Sequence, residues 1–383
     1  MKYTLCITRE CNLACEYCYV CKGKVAMPLE VARKAVDFIY RTAPPSEKIH
    51  IGFFGGEPML EFGRVVAVTD MIEGHRSFDP ARVEIALVTN GTLFSDQAAA
   101  FFNAHNFNFC LSCDGPPPVQ NAFRRFPDGT GSSRFVESTI RKAIQLLPQV
   151  LVNAVYHPRT FRRLPDVVEY FCSLGLTQIY LSADISAGWT KQEADLLPEI
   201  YRRLGELYMQ EYLRDTPRFI SLIDSKIAVI LRGGYHPSEW CQMGRKEVAI
   251  TADGRIYPCE RLIGDGTDEH CMGDIDRGVN RQCLACKARP GESVNPECVS
   301  CGLRKYCMNW CGCSNYASTH RYDRVGPFLC ASERAAVQVA FDVLQVLEGQ
   351  LGPTFADHLG GRPSLKGTRA EKGGAMIHVR SPP

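Results

Sequence analysis

No part of this sequence is long and apolar enough to cross a membrane, since nothing approaches the run of about eighteen uncharged apolar residues that a spanning helix needs. The opening ten residues, MKYTLCITRE, hold no apolar core of the kind that begins a secretory signal. Neither sign of charge is in excess. A formal net charge of +2 gives no reason to expect a polyanionic partner, so nucleic acid is not indicated. No internal repeat of fixed period occurs. The nine histidines form no HExxH or paired arrangement and read as structural or surface residues. These absences leave a cytoplasmic globular protein with neither a membrane nor a nucleic acid as partner. Its 383 residues exceed the usual size of one hydrophobic core, so a large domain with a smaller one is expected.

Cysteine, by contrast, is abundant. A reducing cytosol disfavours disulfides, so the 19 cysteines point to bound metal. Four of them, Cys6, Cys110, Cys113 and Cys172, read instead as small buried hydrophobes. The rest fall in two places. Cys11, Cys15 and Cys18 are spaced CxxxCxxC, with Cys21 close behind. Eleven more lie between Cys241 and Cys330, a density that suggests a module organised around metal rather than around an apolar core.

Up to about Ser182, short β-branched apolar runs alternate with segments of helical period. Tyr3 to Ile7, Ile49 to Phe54, Val83 to Thr89, Phe107 to Ser112, Val150 to Tyr156 and Gln178 to Ser182 are predicted strands. Leu29 to Arg41, Gly63 to Ile72, Ser95 to Asn103, Phe135 to Leu147 and Arg163 to Leu174 are predicted helices. A helical region follows from Lys191 to Leu231, and a last helix from Ala331 to Glu348. Repeated strand–helix units imply a parallel sheet with functional loops at the strand C-terminal ends. The first cysteines fall at such an end. So do Gly55, Gly56 and Glu57 after the second strand, Asn90 and Gly91 after the third, and Asp114 and Gly115 after the fourth.

Three thiolates on one loop suit one face of a cubic iron–sulfur cluster and leave its fourth iron open for chemistry. A structural zinc with Cys21 as fourth ligand is the alternative. CxxxCxxC with Tyr17, GGEP at Gly55 to Pro58, TNGTL at Thr89 to Leu93 and LSCDG at Leu111 to Gly115 occur in this order, each after a predicted strand. In this the sequence resembles the radical SAM superfamily. The resemblance implies that Cys11, Cys15 and Cys18 hold a 4Fe-4S cluster whose open iron is chelated by S-adenosyl-L-methionine. Gly55 and Gly56 would let a backbone edge approach the methionine amino group, with Glu57 and Pro58 fixing the turn. Ser112 and Asp114 would reach the ribose, Tyr17 the adenine, and Asn90 belongs to the same cofactor-binding set. Reductive cleavage of the sulfonium would then yield a 5'-deoxyadenosyl radical that abstracts a hydrogen from a substrate carbon, with a ferredoxin or flavodoxin as electron donor.

From Cys241 the spacing is twelve residues, Gly254, four residues, Cys259, and later Cys298, Cys301, Cys307, Cys311 and Cys330. This resembles the SPASM domain of radical enzymes that modify peptides and proteins, as does ITADGRIYPCE. The resemblance implies two auxiliary 4Fe-4S clusters. Cys298, Cys301, Cys307 and Cys330 would hold the distal one, and Cys241, Cys259 and Cys311 the nearer. The nearer is then one ligand short, with Cys271, Cys283, Cys286, Cys313 or a substrate cysteine left as candidates. A zinc ribbon of Cys283, Cys286, Cys298 and Cys301 competes locally, but it leaves five sulfurs unexplained.

The resulting expectation is an α/β fold, a partial (β/α)6 TIM-type barrel followed by a cysteine-rich SPASM iron–sulfur domain. The domains are placed at residues 1–232 and 233–350, with a flexible basic tail at 351–383. The expected function is a radical SAM peptide maturase that installs a crosslink, a Cys-derived thioether, in a ribosomally made precursor peptide. Formylglycine formation in a sulfatase is the second enzyme reading, and an iron–sulfur electron carrier or zinc module the reading from another class. Glu260, next to Cys259, is the candidate catalytic base; a surface ion pair with Arg255 or Arg261 is the alternative. With the first predicted strand at Tyr3, leader recognition is expected from the barrel and SPASM surfaces, the tail from Gly360 to Pro383, or a separate leader-binding protein.

Overall fold

The computed structural model describes residues 1–280, 295–352 and 355. The elements begin with β1 (Lys2–Thr8), α1 (Leu29–Thr42), β2 (Ile49–Gly55), α2 (Phe62–Glu73), β3 (Val83–Thr89), α3 (Asp96–Ala104) and β4 (Asn108–Ser112). Next come α4 (Pro117–Phe123), α5 (Ser133–Leu146), β5 (Leu151–Tyr156), α6 (Leu164–Ser173), β6 (Gln178–Ala183), α7 (Lys191–Leu213), β7 (Phe219–Ile220) and α8 (Ser221–Leu231). The described chain ends with β8 (Glu247–Ile250), β9 (Arg255–Tyr257), β10 (Gly273–Asp274), β11 (Gly278–Val279), α9 (Gly312–Thr319) and α10 (Pro327–Leu351). All six predicted strands and the helices between them are present. Cys283, Cys286 and the tail from Gly360 lie outside the described residues.

Two compact units are formed. The first is Met1–Ala154, Ser173–Leu176 and Cys241–Pro290; the second is Val155–Cys172, Thr177–Trp240 and Gly291–Pro383. In the first unit β1 pairs in parallel with β2, β2 with β3, β3 with β4 and β4 with β5. The other edge of β1 is covered by β8, also parallel, with Lys2 opposite Glu247 and Leu5 opposite Ile250. Strands β9, β10 and β11 then extend the sheet antiparallel. A strand flanked on both edges and packed on both faces is expected to be apolar along nearly its whole length. β1 is such a strand, buried from Tyr3 to Thr8. Helix α1 lays Ala32, Ala35, Val36, Phe38 and Ile39 against the core, the face that its 3.6-residue period dictates.

The structure revises the sequence reading in three places. The helical region expected from Lys191 to Leu231 is two helices, because Asp215 adopts a left-handed φ of 57° and Pro217 cannot continue a helix, so the chain makes the short strand β7 before α8 begins. Helix α4 was not legible in GPPPV. Its prolines sit at the N-cap and in the first turn, where no backbone N–H is needed, and Val119, Gln120 and Phe123 are buried. Strands β8 to β11 are too short, at two to four residues, to show a period of their own.

The second unit packs α7 and α8 against α10. Gly205 of α7 lies so close to Val339 that a Cβ would collide with it. Tyr156 Oη, Tyr201 Oη and Ser332 Oγ form a buried chain at 2.7 and 2.9 Å. Asp224, buried, accepts from Tyr208 Oη at 2.8 Å and from the Ile220 amide at 2.6 Å, joining α8 to α7 and to the end of β7.

Leu5 is fully buried in β1. Leu5→Ala is expected to cost about 2–5 kcal/mol, read as a lower midpoint in urea unfolding with little change in slope.

Candidate functional site

The chain leaves the sheet at Thr8 and returns at Met27. The excursion between is closed at its neck, where the Arg9 amide donates to Val25 O at 2.8 Å and the Met27 amide to Ile7 O at 2.7 Å. Leu13 is buried within it, Arg9 Nε donates to Cys21 O at 2.8 Å, and Lys22 Nζ donates to Leu13 O. Cys11, Cys15 and Cys18 are therefore carried on a closed loop at the C-terminal end of β1. Burial pushes the Cys11 and Cys15 thiols up.

Three neighbouring strand ends hold this loop. At the end of β2 the Gly56 amide donates to Thr8 O and the Glu57 amide to Glu10 O, both at 2.8 Å. A Cβ on Gly55, whose φ is 142°, would collide with the Thr8 carbonyl, and one on Gly56 with the Glu10 carbonyl. In this structure both glycines are thus required by the cysteine loop itself. Glu57, 1% exposed, accepts from the Met59 amide at 2.9 Å, from Thr89 Oγ1 at 2.7 Å and from the Asn90 amide at 2.7 Å. Burial raises its pKa and these three donors pull it back. Its carboxylate ties the end of β2 to the end of β3. Asn90 passes the connection on, donating to Asn12 Oδ1 at 2.9 Å and accepting from the Thr92 amide at 3.0 Å, while Asn12 Nδ2 reaches Thr92 Oγ1 at 2.8 Å.

At the end of β4, Ser112 lies opposite Asn153 of β5. Asp114 is 2% exposed, and its carboxylate accepts from Arg124 Nε at 3.0 Å and from Tyr17 Oη at 2.5 Å. The Arg124 guanidinium also lies 5.3 Å over the Tyr17 ring. The Asp114 amide donates to Gln120 Oε1 at 2.8 Å, and Gln120 Nε2 to Ser132 Oγ at 2.9 Å. The cysteine loop meets the C-terminal end of α4 and the residues just after it, through the Glu16 amide to Phe123 O at 3.1 Å and the Ala14 amide to Arg125 O at 2.6 Å. Arg124 and Gln120 escaped the sequence reading because helix α4 was hidden. A polar pair in the unassigned stretch between the LSCDG motif and the next predicted helix was the available signal.

A tetrahedral zinc site with Zn–S bonds of about 2.3 Å brings its sulfurs within about 3.8 Å of one another. Among the described residues no three thiols stand that close. The one trio of ligating atoms within 4.8 Å of one another is Glu247, Cys259 and Glu260.

Glu260 lies beside the end of β9. Cys259 Sγ is 3.6 Å from Glu260 Oε2, and Glu247 is held by Lys2 Nζ at 2.6 Å. Burial acts to lower the Lys2 pKa, but Glu260, Glu247 and the Cys259 sulfur outweigh it and raise it. Arg255 pairs with Asp268, and Arg261 lies 5.1 Å over the Tyr19 ring. Cys241 is in the same unit, on a turn whose Gly244 amide donates to Pro258 O at 3.2 Å. Cys271 Sγ lies 3.4 Å from Gly273 O. Cys311 belongs to the second unit, 3.6 Å from the buried Cys313 sulfur.

Cys298, Cys301, Cys307 and Cys330 lie together in the second unit. Burial pushes the Cys330 thiol up and Cys298 and Cys301 add to the shift, while Cys307 is raised by burial, then by Glu333, Cys330 and Cys298. The four thiols assigned to one cluster thus share one electrostatic environment. By contrast Cys6 and Cys113 are buried and Cys110 and Cys172 half-buried, and burial pushes the thiols of Cys110 and Cys113 up to about 12, as inert structural cysteines require.

Gly56→Ala forces the Glu10 carbonyl away and is expected to lower iron retained on anaerobic reconstitution by about four per chain, with the far-ultraviolet circular dichroism unchanged. Unaltered iron content would contradict the proposed place of Gly56 in the loop.

Over residues 5–184 the chain matches the Radical SAM superfamily. It is 25% identical over 320 residues to the serine-type anaerobic sulfatase-maturating enzyme of Klebsiella aerogenes, covering 79% of this chain and 76% of that one. The solved structure of anSMEcpe with bound AdoMet and Cp18Cys peptide matches with a TM-score of 0.75 at 20% identity, over 91% of this chain and 99% of that chain. Streptococcus suis SuiB bound to the precursor peptide SuiA matches with a TM-score of 0.60 at 14% identity, over 86% and 75%. These structures share the mixed α/β fold with its parallel sheet. Residues 5–184 are a radical SAM domain, and the chain is a radical SAM superfamily enzyme.

Proposed function

We propose that this enzyme oxidises a side chain within a peptide or protein substrate, with Glu260 as the base. Cys11, Cys15 and Cys18 would hold the cluster that, with S-adenosyl-L-methionine, would supply a carbon radical able to take a hydrogen atom from the substrate, and the cysteines from Cys241 to Cys330 would hold auxiliary clusters able to take up the remaining electron. The carboxylate beside Cys259 carries this reading. Once the hydrogen atom has gone, the substrate must still lose a proton, and the Glu260 carboxylate, with Oε2 3.6 Å from Cys259 Sγ, is the group beside that cysteine able to take it. Glu57 and Asp114 act within the protein, holding the cysteine loop against β3 and β4, so that Asn90, Ser112 and Tyr17 frame the cofactor side of the site.

Two products share this hydrogen-atom, proton and electron balance. Formylglycine in a sulfatase is favoured by the likeness to a serine-type sulfatase-maturating enzyme along three quarters of both chains. A thioether crosslink in a ribosomal peptide is the second reading, favoured by the fold shared with SuiB in its complex with a precursor peptide. Incubating the reconstituted enzyme with a sulfatase-derived peptide carrying serine or cysteine separates them. A product that reacts with a hydrazide is the aldehyde; loss of free thiol without hydrazide reactivity is the crosslink.

Glu260→Gln is expected to keep formation of 5'-deoxyadenosine while slowing product formation by about 10²-fold or more, the usual contribution of a general base. Equal product formation by the variant and the parent enzyme would remove Glu260 from the mechanism.

A further inference from the structure

Besides the site at the strand ends, the second unit contains a buried ion pair that the proposed chemistry does not use. Lys226 of α8 and Glu333 of α10 have side chains only 5% and 10% exposed, and their charged atoms lie 2.6 Å apart. Lys226 Nζ also donates to Tyr306 O at 3.3 Å, and Glu333 Oε2 accepts from the Met308 amide at 2.5 Å. The pair therefore grips the backbone on both sides of Cys307. Glu333 stands one helical turn beyond Cys330 on α10, so one pair of side chains fixes two of the four thiols relative to each other. Tyr235 closes the site, with Lys226 Nζ 5.4 Å over its ring and the Trp310 ring 5.3 Å away at 86°. Trp310 Nε1 is buried and has no hydrogen-bond partner among the described residues.

A buried ion pair is a costly way to hold two helices together, because well-packed apolar residues of the same volume usually do it as well or better. Its proximity to Cys307 offers a different use. The ammonium of Lys226 is bonded to the carbonyl just before that thiol's residue and the carboxylate of Glu333 to the amide just after it, so a buried charge of each sign stands beside Cys307. We infer that Lys226 and Glu333 are positioning residues for the iron–sulfur cluster carried by Cys298, Cys301, Cys307 and Cys330, and that their opposed charges set its reduction potential. This rests on the reading of those four cysteines as cluster ligands. Cluster potentials respond to net charge, hydrogen bonds to sulfur and solvent exposure. A cation nearby stabilises the reduced cluster and an anion the oxidised one, and burial leaves both largely unscreened by salt.

The test is an EPR-monitored redox titration of the reconstituted full-length chain, the signal being assigned by its loss in Cys298→Ala. Lys226→Met is expected to move the midpoint of that signal to more negative potential. Glu333→Gln, which keeps an acceptor for the Met308 amide, is expected to retain iron and move the midpoint to more positive potential. The double variant is expected to fall between the two. Lys226→Gln, with the same expected sign, replaces a Lys226→Met protein too unstable to load. Unchanged midpoints, or shifts of the same sign in both variants, would overturn the inference while leaving the cluster in place. If Cys298→Ala removes neither iron nor signal, the cluster assignment itself is wrong.

Discussion

The Glu57 carboxylate is the interaction on which the rest of the site depends. A buried carboxylate is costly unless its lone pairs are used, and here each acceptor contact joins a different piece of the catalytic end of the sheet. Through Thr89 and Asn90 it fixes β3 against β2, and through Asn90 and Asn12 it reaches the residue after Cys11. The backbone of the same GGEP segment clasps the cysteine loop at Thr8 and Glu10. Cysteine loop, β2 and β3 are therefore one hydrogen-bonded body. The Tyr17–Asp114–Arg124 network extends that body to β4 and α4.

Much of the fold was legible from residues alone. The alternation of β-branched runs with helical periods located β1 to β6 and their helices, because buried parallel strands must be continuously apolar and their covering helices amphipathic. What escaped was set by context. Strands β8 to β11 take their form from the edge of β1 and from one another, and α4 takes its form from a proline-rich first turn that reads as a loop in isolation. The break after Leu213 needed Pro217 to be weighed above the apolar pattern around it.

The site was legible as separate motifs, but the contacts between them were not. CxxxCxxC, GGEP, TNGTL and LSCDG each stood out, whereas the bond from Thr89 to Glu57, or the bond from Asn90 to Asn12, spans residues far apart in sequence. Gly55 and Gly56 make room for the chain's own carbonyls, and the Asp114 carboxylate holds Arg124 and Tyr17, contacts that no single motif announces. In the second unit the spacing identified the cysteines, while the Lys226–Glu333 pair beside Cys307 has no signature in the sequence, since neither residue lies within a motif.

Iron and sulfide content measured together with 5'-deoxyadenosine formation, on protein reconstituted anaerobically and given S-adenosyl-L-methionine and a strong reductant, tests the central claim most directly. About twelve irons per chain are expected, as three four-iron clusters require, falling to about eight with loss of cleavage when Cys11, Cys15 and Cys18 are replaced by alanine. Zinc in place of iron, with no deoxyadenosine formed, would contradict the account.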